Sequence, residues 1–274
     1  MIKIHSTHTG LLAEIAGEFH WLAADFQLDS LFTAADPAAL VRSVIVAAAA
    51  PPLGPSGPLI QSQEVWAAGV TYLRSRSARM EEAAASGGSS FYDKVYEADR
   101  PELFFKATAH RVAVSGSTVR IRSDSRWNVP EPELTLAINS SGKIFGYTIG
   151  NDMSSRDIEG ENPLYLPQAK VYDRCAALGP CLVISDDLPG AETVISLEIR
   201  RDGATVFAGE TTVGQIKRPL PLLADWLFRD NSFPHGCYLM TGTGIVPPDT
   251  FTLRSGDEIR ITVAPVGTLI NTVA

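Results

Sequence analysis

One hairpin constrains this chain more than any other stretch. Residues 127–138 read Trp-Asn-Val-Pro-Glu-Pro-Glu-Leu-Thr-Leu-Ala-Ile, and residues 144–152 read Ile-Phe-Gly-Tyr-Thr-Ile-Gly-Asn-Asp. Asn139-Ser140-Ser141-Gly142-Lys143 lies between them. Two β-rich runs around a Ser-Gly turn predict a β-hairpin. Side chains alternate faces along a strand, so Pro132, Leu134, Leu136 and Ile138 share one apolar face. Glu131 and Glu133 share the other. A two-residue Ser141-Gly142 loop puts Glu131 directly opposite Asp152, with Glu133 as a diagonal neighbour. Directly opposed side chains have Cβ atoms about 5 Å apart. Three carboxylates then converge on one spot.

Three such groups repel one another unless they are protonated or neutralised. A divalent cation removes the repulsion. A ligand set made only of carboxylate oxygens suits Mg²⁺, with Mn²⁺ or Ca²⁺ as alternatives, and does not suit zinc. Mg²⁺ keeps several waters that a substrate replaces. The competing reading is a solvated strand face, on which Glu-x-Glu is common, and the choice turns on the hairpin register.

The run Pro-Glu-Pro-Glu-Leu, then Gly-Tyr-Thr-Ile-Gly-Asn-Asp-Met-Ser-Ser-Arg-Asp, then Lys170 and Leu178-Gly179-Pro180, resembles the fumarylacetoacetate hydrolase family. The likeness extends to Thr241-Gly242-Thr243-Gly244, the Ser255-Gly256-Asp257 turn and Val266 to Asn271, and spans roughly residues 64–274. It implies Glu131, Glu133 and Asp152 as ligands of Mg²⁺ or Mn²⁺. It implies an α+β, β-dominated fold: a mixed β-sheet roll or sandwich with a small N-terminal α/β domain over residues 1–60 and a catalytic domain over 61–274. It also implies a homodimer or homotetramer.

The 274 residues are enough for that arrangement. The net charge of −8 argues against nucleic acid and anionic membrane surfaces as partners. An anionic substrate needs only local positive charge. Cys175, Cys181 and Cys237 form no Cys-x-x-Cys pair, and their odd number fits buried thiols in a reducing compartment. The longest apolar run, Val44 to Ala50, is too short to span a bilayer, and the start carries no signal-type apolar core. A cytoplasmic protein is expected.

Along the chain, Leu11 to Phe26 reads as short strands. Asp36-Pro37 opens a helix expected to run through the alanines to Ala50. Pro51 to Pro58 reads as a linker. Glu64 to Tyr72 is strand-like. Arg74 to Ser86 has helix-forming composition, stopped by Gly87-Gly88. That segment is either a solvated helix or a mobile lid whose Arg74 clamps an anionic ligand, hinged at Gly87-Gly88-Ser89-Ser90. The resemblance favours the lid. Pro101 to Lys106 is strand-like, with Glu102, Phe104 and Lys106 on one face. Glu102 and Lys106 are either an ion pair or part of a site, and the resemblance implies that this strand lines the cavity, with Lys106 toward the substrate. Ser154 to Gln168 looks irregular. Strands are expected on both sides of Arg201-Asp202-Gly203, and a helix from Pro219 to Phe228. His5 and His8 lie near the N-terminus without acidic or cysteine companions, so they are not read as metal ligands.

A hard cation with open positions chelates a 2-oxo acid and stabilises the enolate formed when a proton leaves C3. Hydrolytic and decarboxylating relatives carry a histidine paired with a glutamate near the lid. No histidine lies between Arg74 and Lys106 here. Glu102 and Lys170 are left as the proton-transfer groups. The stretches Ala68 to Tyr72, Ala78 to Glu82, Arg100 to Lys106 and Tyr172 to Cys175 are similar to the subgroup that dehydrates 2-keto-3-deoxypentonates of the D-arabinonate type. The resemblance implies a 2-oxo sugar acid as substrate, 2,5-dioxopentanoate as product, and Thr243 on the substrate carboxylate. The alternatives are a hydrolase or decarboxylase of acylpyruvates or oxaloacetate on the same fold, and a non-catalytic sugar-acid-binding module.

Overall fold

In the computed structural model, residues 1–52, 56–82 and 94–274 are described. The Gly87-Gly88-Ser89-Ser90 hinge, the end of the helix expected to Ser86 and part of the Pro51–Pro58 linker lie outside these residues.

The hairpin forms the centre of the main sheet. Strands are labelled β1 (Ile2–Thr7), β2 (Gly10–Ile15), β3 (Glu18–Leu22), β4 (Ile45–Ala49), β5 (Glu64–Gly69), β6 (Glu102–Thr108), β7 (Pro132–Ile138), β8 (Ile144–Asp152), β9 (Ala176–Ile184), β10 (Val194–Arg201), β11 (Ala204–Thr212), β12 (Cys237–Met240), β13 (Glu258–Val263) and β14 (Gly267–Val273). The main sheet runs β4-β3-β2-β1-β9-β8-β7-β12-β5-β6, and a short strand at Val112–Val114 adds to β9. A second sheet runs β11-β10-β13-β14 and ends on Thr118–Val119. Most pairs are antiparallel, while β12 with β5, Val112–Val114 with β9 and Thr118–Val119 with β14 are parallel. The fold is α+β and strand-dominated, with mixed sheets.

Alternation along β7 explains the layering. Leu134, Leu136 and Ile138 face the second sheet and pack with Ile195, Leu197, Ile259 and Ile261. Ala137 faces the other way, into a core shared with Ile2, Ile4, Phe32, Phe145 and Tyr238. Every residue of β7 is buried, as expected of a strand covered on both faces. Fully burying each leucine contributes about 1.5–3 kcal/mol. The N-terminal strands join this sheet directly, with Ile2 opposite Ile184 and Ile4 opposite Leu182.

The helices are short: α1 (Asp29–Thr33), α2 (Pro37–Ser43), α3 (Leu73–Glu82), α4 (Arg156–Glu161), α5 (Leu166–Lys170) and α6 (Leu220–Phe228). Asp36 caps α2 by accepting from the Ala39 amide at 2.9 Å. The helix expected through Ala50 stops at Ser43, and Ile45–Ala49 forms edge strand β4. Pairing with β3 outweighs the helix propensity of the alanines. The stretch expected to be irregular from Ser154 to Gln168 instead holds α4, a 3₁₀ turn at Pro163–Tyr165 and α5. Among the described residues, no helix is long and apolar enough to cross a membrane.

Candidate active site

The hairpin register brings the acidic residues together, though by a different turn. The loop is not the two-residue Ser141-Gly142. The Asn139 amide donates to the Lys143 carbonyl, so three residues close the turn, with Gly142 at a positive φ of 84°. An irregularity between Ala137 and Ile138 absorbs the extra residue. Beyond it Leu134 pairs with Ile149 and Pro132 with Asn151. Glu131 and Asp152 then exchange both backbone hydrogen bonds, at 3.2 and 3.0 Å. The register continues outward to Val129 with Ser154 and Asn128 with Ser155.

Glu131, Glu133 and Asp152 are all buried, and each offers a carboxylate oxygen within 4.8 Å of the others. Around them stand three cations. Lys170 Nζ lies 2.7 Å from Glu131 Oε2 and 3.1 Å from Asp152 Oδ2. Lys106 Nζ lies 2.6 Å from Asp152 Oδ1, and Arg156 Nη2 lies 2.9 Å from Glu131 Oε1. Glu133 accepts instead from the Gly242 amide at 2.5 Å. Gly242 has φ of 91°, and a β-carbon there would meet Thr71 Oγ1 at 2.0 Å. The Thr-Gly-Thr-Gly stretch thus brings a backbone N–H to a carboxylate. Burial, with Asp152 and Glu131 nearby, holds the Glu133 carboxyl well above its usual range.

This donor set fits a hard divalent cation. All its ligand atoms are carboxylate oxygens, and a cation cancels the repulsion that raises Glu133. Mg²⁺ suits it, and Mn²⁺ and Ca²⁺ share the preference for oxygen.

A small cavity opens over the trio, lined in part by Glu102, Phe104, Lys170 and Thr243. Gly69 and Glu102 are cross-strand partners on β5 and β6. A β-carbon on Gly69 would lie 2.1 Å from Glu102 Oε2, so the missing side chain makes the room in which the carboxylate rests. Val70, next along, carries a left-handed φ of 53°, strained for a β-branched residue. Lys170 ends α5, and its carbonyl accepts from Lys106 Nζ at 2.5 Å.

Lys106 does not line this cavity. It is fully buried and also donates to the Met153 carbonyl at 2.9 Å. Its ammonium therefore fixes Asp152 and Lys170 rather than facing the cavity. Arg74 stands exposed on the first turn of α3, outside the lining. Arg156 and Glu159 line the cavity, and sequence reading missed both. The outward register, which places the Arg156 amide on the Trp127 carbonyl at 2.8 Å, was the signal for Arg156. Glu159 had no local signal, because α4 was not anticipated. Cys175, Cys181 and Cys237 are free and buried, as expected, and burial pushes the Cys181 thiol up to about 12.

A two-sheet, strand-dominated fold with a buried carboxylate trio beside a lysine defines the class: the chain belongs to the fumarylacetoacetate hydrolase family, whose fumarylacetoacetate (FAA) hydrolase C-terminal model matches residues 65–274. The chain is 46% identical over 215 residues to the probable 2-keto-3-deoxyxylonate dehydratase of Haloferax volcanii, a match covering 78% of this chain and 73% of that protein. It is 44% identical over 216 residues to the 2-dehydro-3-deoxy-D-arabinonate dehydratase of Saccharolobus solfataricus, covering 78% and 72%. A solved structure of 2-keto-3-deoxy-D-arabinonate dehydratase complexed with magnesium and 2,5-dioxopentanoate aligns with a TM-score of 0.80 and 34% identity, over 100% of this chain and 98% of the other.

Proposed function

We propose that this protein is a Mg²⁺-dependent hydro-lyase that converts a 2-dehydro-3-deoxypentonate of the arabinonate type to 2,5-dioxopentanoate. The observation that carries the reading is the meeting of Glu131, Glu133 and Asp152 with Glu102 and Lys170 in one buried cavity. The names of the relatives at 46% and 44% identity support it.

Held by the trio, the cation would polarise the 2-oxo group and stabilise the negative charge left on it by loss of a C3 proton. The chain's own residues do the rest. Lys170 and Arg156 fix the orientation of Glu131, and Lys170 with Lys106 fixes Asp152. Glu102, resting over Gly69 at the cavity wall, takes the C3 proton. Such general base help contributes about 10²–10⁴-fold. Thr243, at the cavity wall, holds the substrate carboxylate. Arg74, on the exposed start of α3, closes toward the anionic substrate. We place the protein in the cytoplasm, supported by its three free thiols, and as a homo-oligomer, supported by the exposed apolar edge strand β4.

The test sets 2-keto-3-deoxy-D-arabinonate and its L-isomer beside oxaloacetate and acetylpyruvate. Formation of 2,5-dioxopentanoate as the fastest reaction supports the dehydratase. Pyruvate from oxaloacetate or acetylpyruvate, with no semialdehyde, would establish the hydrolase or decarboxylase reading instead.

A further inference from the structure

Glu102 opens β6, so its place in the cavity depends on the chain that leads into that strand. Residues 94–97 form a helical turn, closed by the Ala98 amide on the Lys94 carbonyl at 2.9 Å. The carbonyls that end such a turn have no partner within it. Arg218 supplies one. Its Nη2 donates to the carbonyls of Val95 and Ala98, both at 2.7 Å, and its Nη1 to that of Asp99 at 3.4 Å. Asp99 stands three residues ahead of Glu102. Arg218 is buried, and among the described residues its hydrogen bonds all go to these main-chain carbonyls. Burying a guanidinium is costly unless its donors are satisfied, and here they are satisfied by fixing backbone.

The neighbours of Arg218 in sequence hold the opposite side of the same seat. The Lys217 amide donates to the Thr71 carbonyl at 2.9 Å, and Ile216 bridges to Tyr72. Thr71 lies just past Gly69, the cross-strand partner of Glu102. Lys217 Nζ also reaches the Tyr96 carbonyl at 2.5 Å and the Glu97 carboxylate at 3.0 Å. Arg100 Cζ stands 4.5 Å from the ring centre of Trp226 on α6. Val70 packs directly on Val95 and Tyr96. One stretch of chain, 216–226, thus grips both the exit from β5 and the entry to β6, and Glu102 faces Gly69 between those two grips.

We propose, resting on the dehydratase reading with Glu102 as the C3 base, that Arg218 is a positioning residue for Glu102. It lies outside the cavity lining. It acts by holding residues 95–99 so that β6 delivers the Glu102 carboxylate over Gly69. A planar guanidinium suits this task, because its fork of N–H groups fixes several carbonyls in one geometry, whereas a lysine keeps the charge without the fork. The cation trio is carried by β7, the residue before it and β8, and among the described residues Arg218 makes no bond to these. Its loss therefore displaces the base and spares the cation.

The experiment is a double-mutant cycle on the Mg²⁺-loaded protein: wild type, Arg218→Met, Glu102→Gln and the double variant. Dehydration of 2-keto-3-deoxy-D-arabinonate gives kcat and KM, and melting with and without Mg²⁺ reports the cation site. Arg218→Met is expected to lower kcat about tenfold or more, with KM within about threefold and the Mg²⁺-induced shift unchanged. In the Glu102→Gln background the same substitution should change kcat by less than about twofold, because the group that it positions is already gone. Unchanged turnover by Arg218→Met would overturn the assignment. So would an equal fall with and without Glu102, the mark of a purely structural arginine, or a loss of the Mg²⁺-induced shift. If Arg218→Met does not fold, Arg218→Lys enters the same cycle; a smaller fall in kcat that vanishes with Glu102→Gln supports the role, and no fall, or one that persists, overturns it. Full turnover by Glu102→Gln would remove Glu102 as the base, and wild type that leaves the sugar acid unchanged would remove the dehydratase reading; the role of Arg218 falls with either.

Discussion

Glu131 and Asp152 are locked to each other by two reciprocal backbone hydrogen bonds, at 3.2 and 3.0 Å. The separation of their carboxylates is therefore set by sheet geometry rather than by a flexible loop. A one-residue slip of the hairpin would turn one of them to the opposite face, and the bulge beside Ile138 prevents that slip. The cation site is built into the register.

Cation binding is expected to depend on pH through Glu133. Burial and its two acidic neighbours raise its folded-state carboxyl above the unfolded value. A carboxyl raised in this way stabilises the metal-free fold at low pH, and that contribution is lost as pH rises through the folded value. Mg²⁺ requires the ionised form, so its stabilisation grows with pH. Melting curves with Mg²⁺ or EDTA between pH 5 and 8 should show a shift that widens toward pH 8. Glu133→Gln should reduce the shift at every pH.

Gly69→Ala is expected to impair activity with little loss of stability. The new methyl meets the far end of the Glu102 side chain, which swings aside at small cost. Displacing the proposed base should lower turnover about tenfold or more, with the melting temperature shifted by only a few degrees. Steady-state kinetics and calorimetry on one preparation check both halves.

Lys106→Met should destabilise the fold. It leaves Asp152 Oδ1 and the carbonyls of Met153 and Lys170 without their buried partner. Breaking a buried charge pair by removing one member costs about 3–5 kcal/mol. Urea unfolding should show a loss of that size. A loss under about 1 kcal/mol would place Lys106 outside the support of the site.

The division at residue 60 is testable by truncation. Residues 61–274 alone would expose the β9 edge that pairs with Ile2 and Ile4, and would open the core they share with Phe145 and Tyr238. An unpaired apolar edge promotes association. The truncated chain should elute as aggregate in size exclusion, whereas a monodisperse, folded product would make residues 61–274 an independent domain.

The hairpin and its acidic trio could be read from sequence because their signals are local: alternation of period two, a Ser-Gly turn, and carboxylates placed by register alone. The seat of Glu102 could not. It depends on Gly69 standing opposite on another strand, a pairing made by the tertiary fold. The alanine run after Val44 carries helix propensity, yet β3 recruits it as an edge strand. Gly160, Pro163 and Pro167 disguise α4 and α5 as irregular chain, because helices this short are held by packing rather than by propensity. Glu159 was hidden with them. Alternation left Glu102 and Lys106 open as an ion pair or a site, and only the family resemblance turned Lys106 toward the substrate; the carbonyls of Met153 and Lys170 draw its ammonium inside.

The most direct test of the account is to follow 2-keto-3-deoxy-D-arabinonate with the Mg²⁺-loaded protein by NMR, before and after EDTA. The account predicts 2,5-dioxopentanoate and one water per substrate, abolished by EDTA and restored by Mg²⁺. Semialdehyde formation that survives complete removal of divalent cations would contradict it, as would an unchanged spectrum of both the D- and L-isomers.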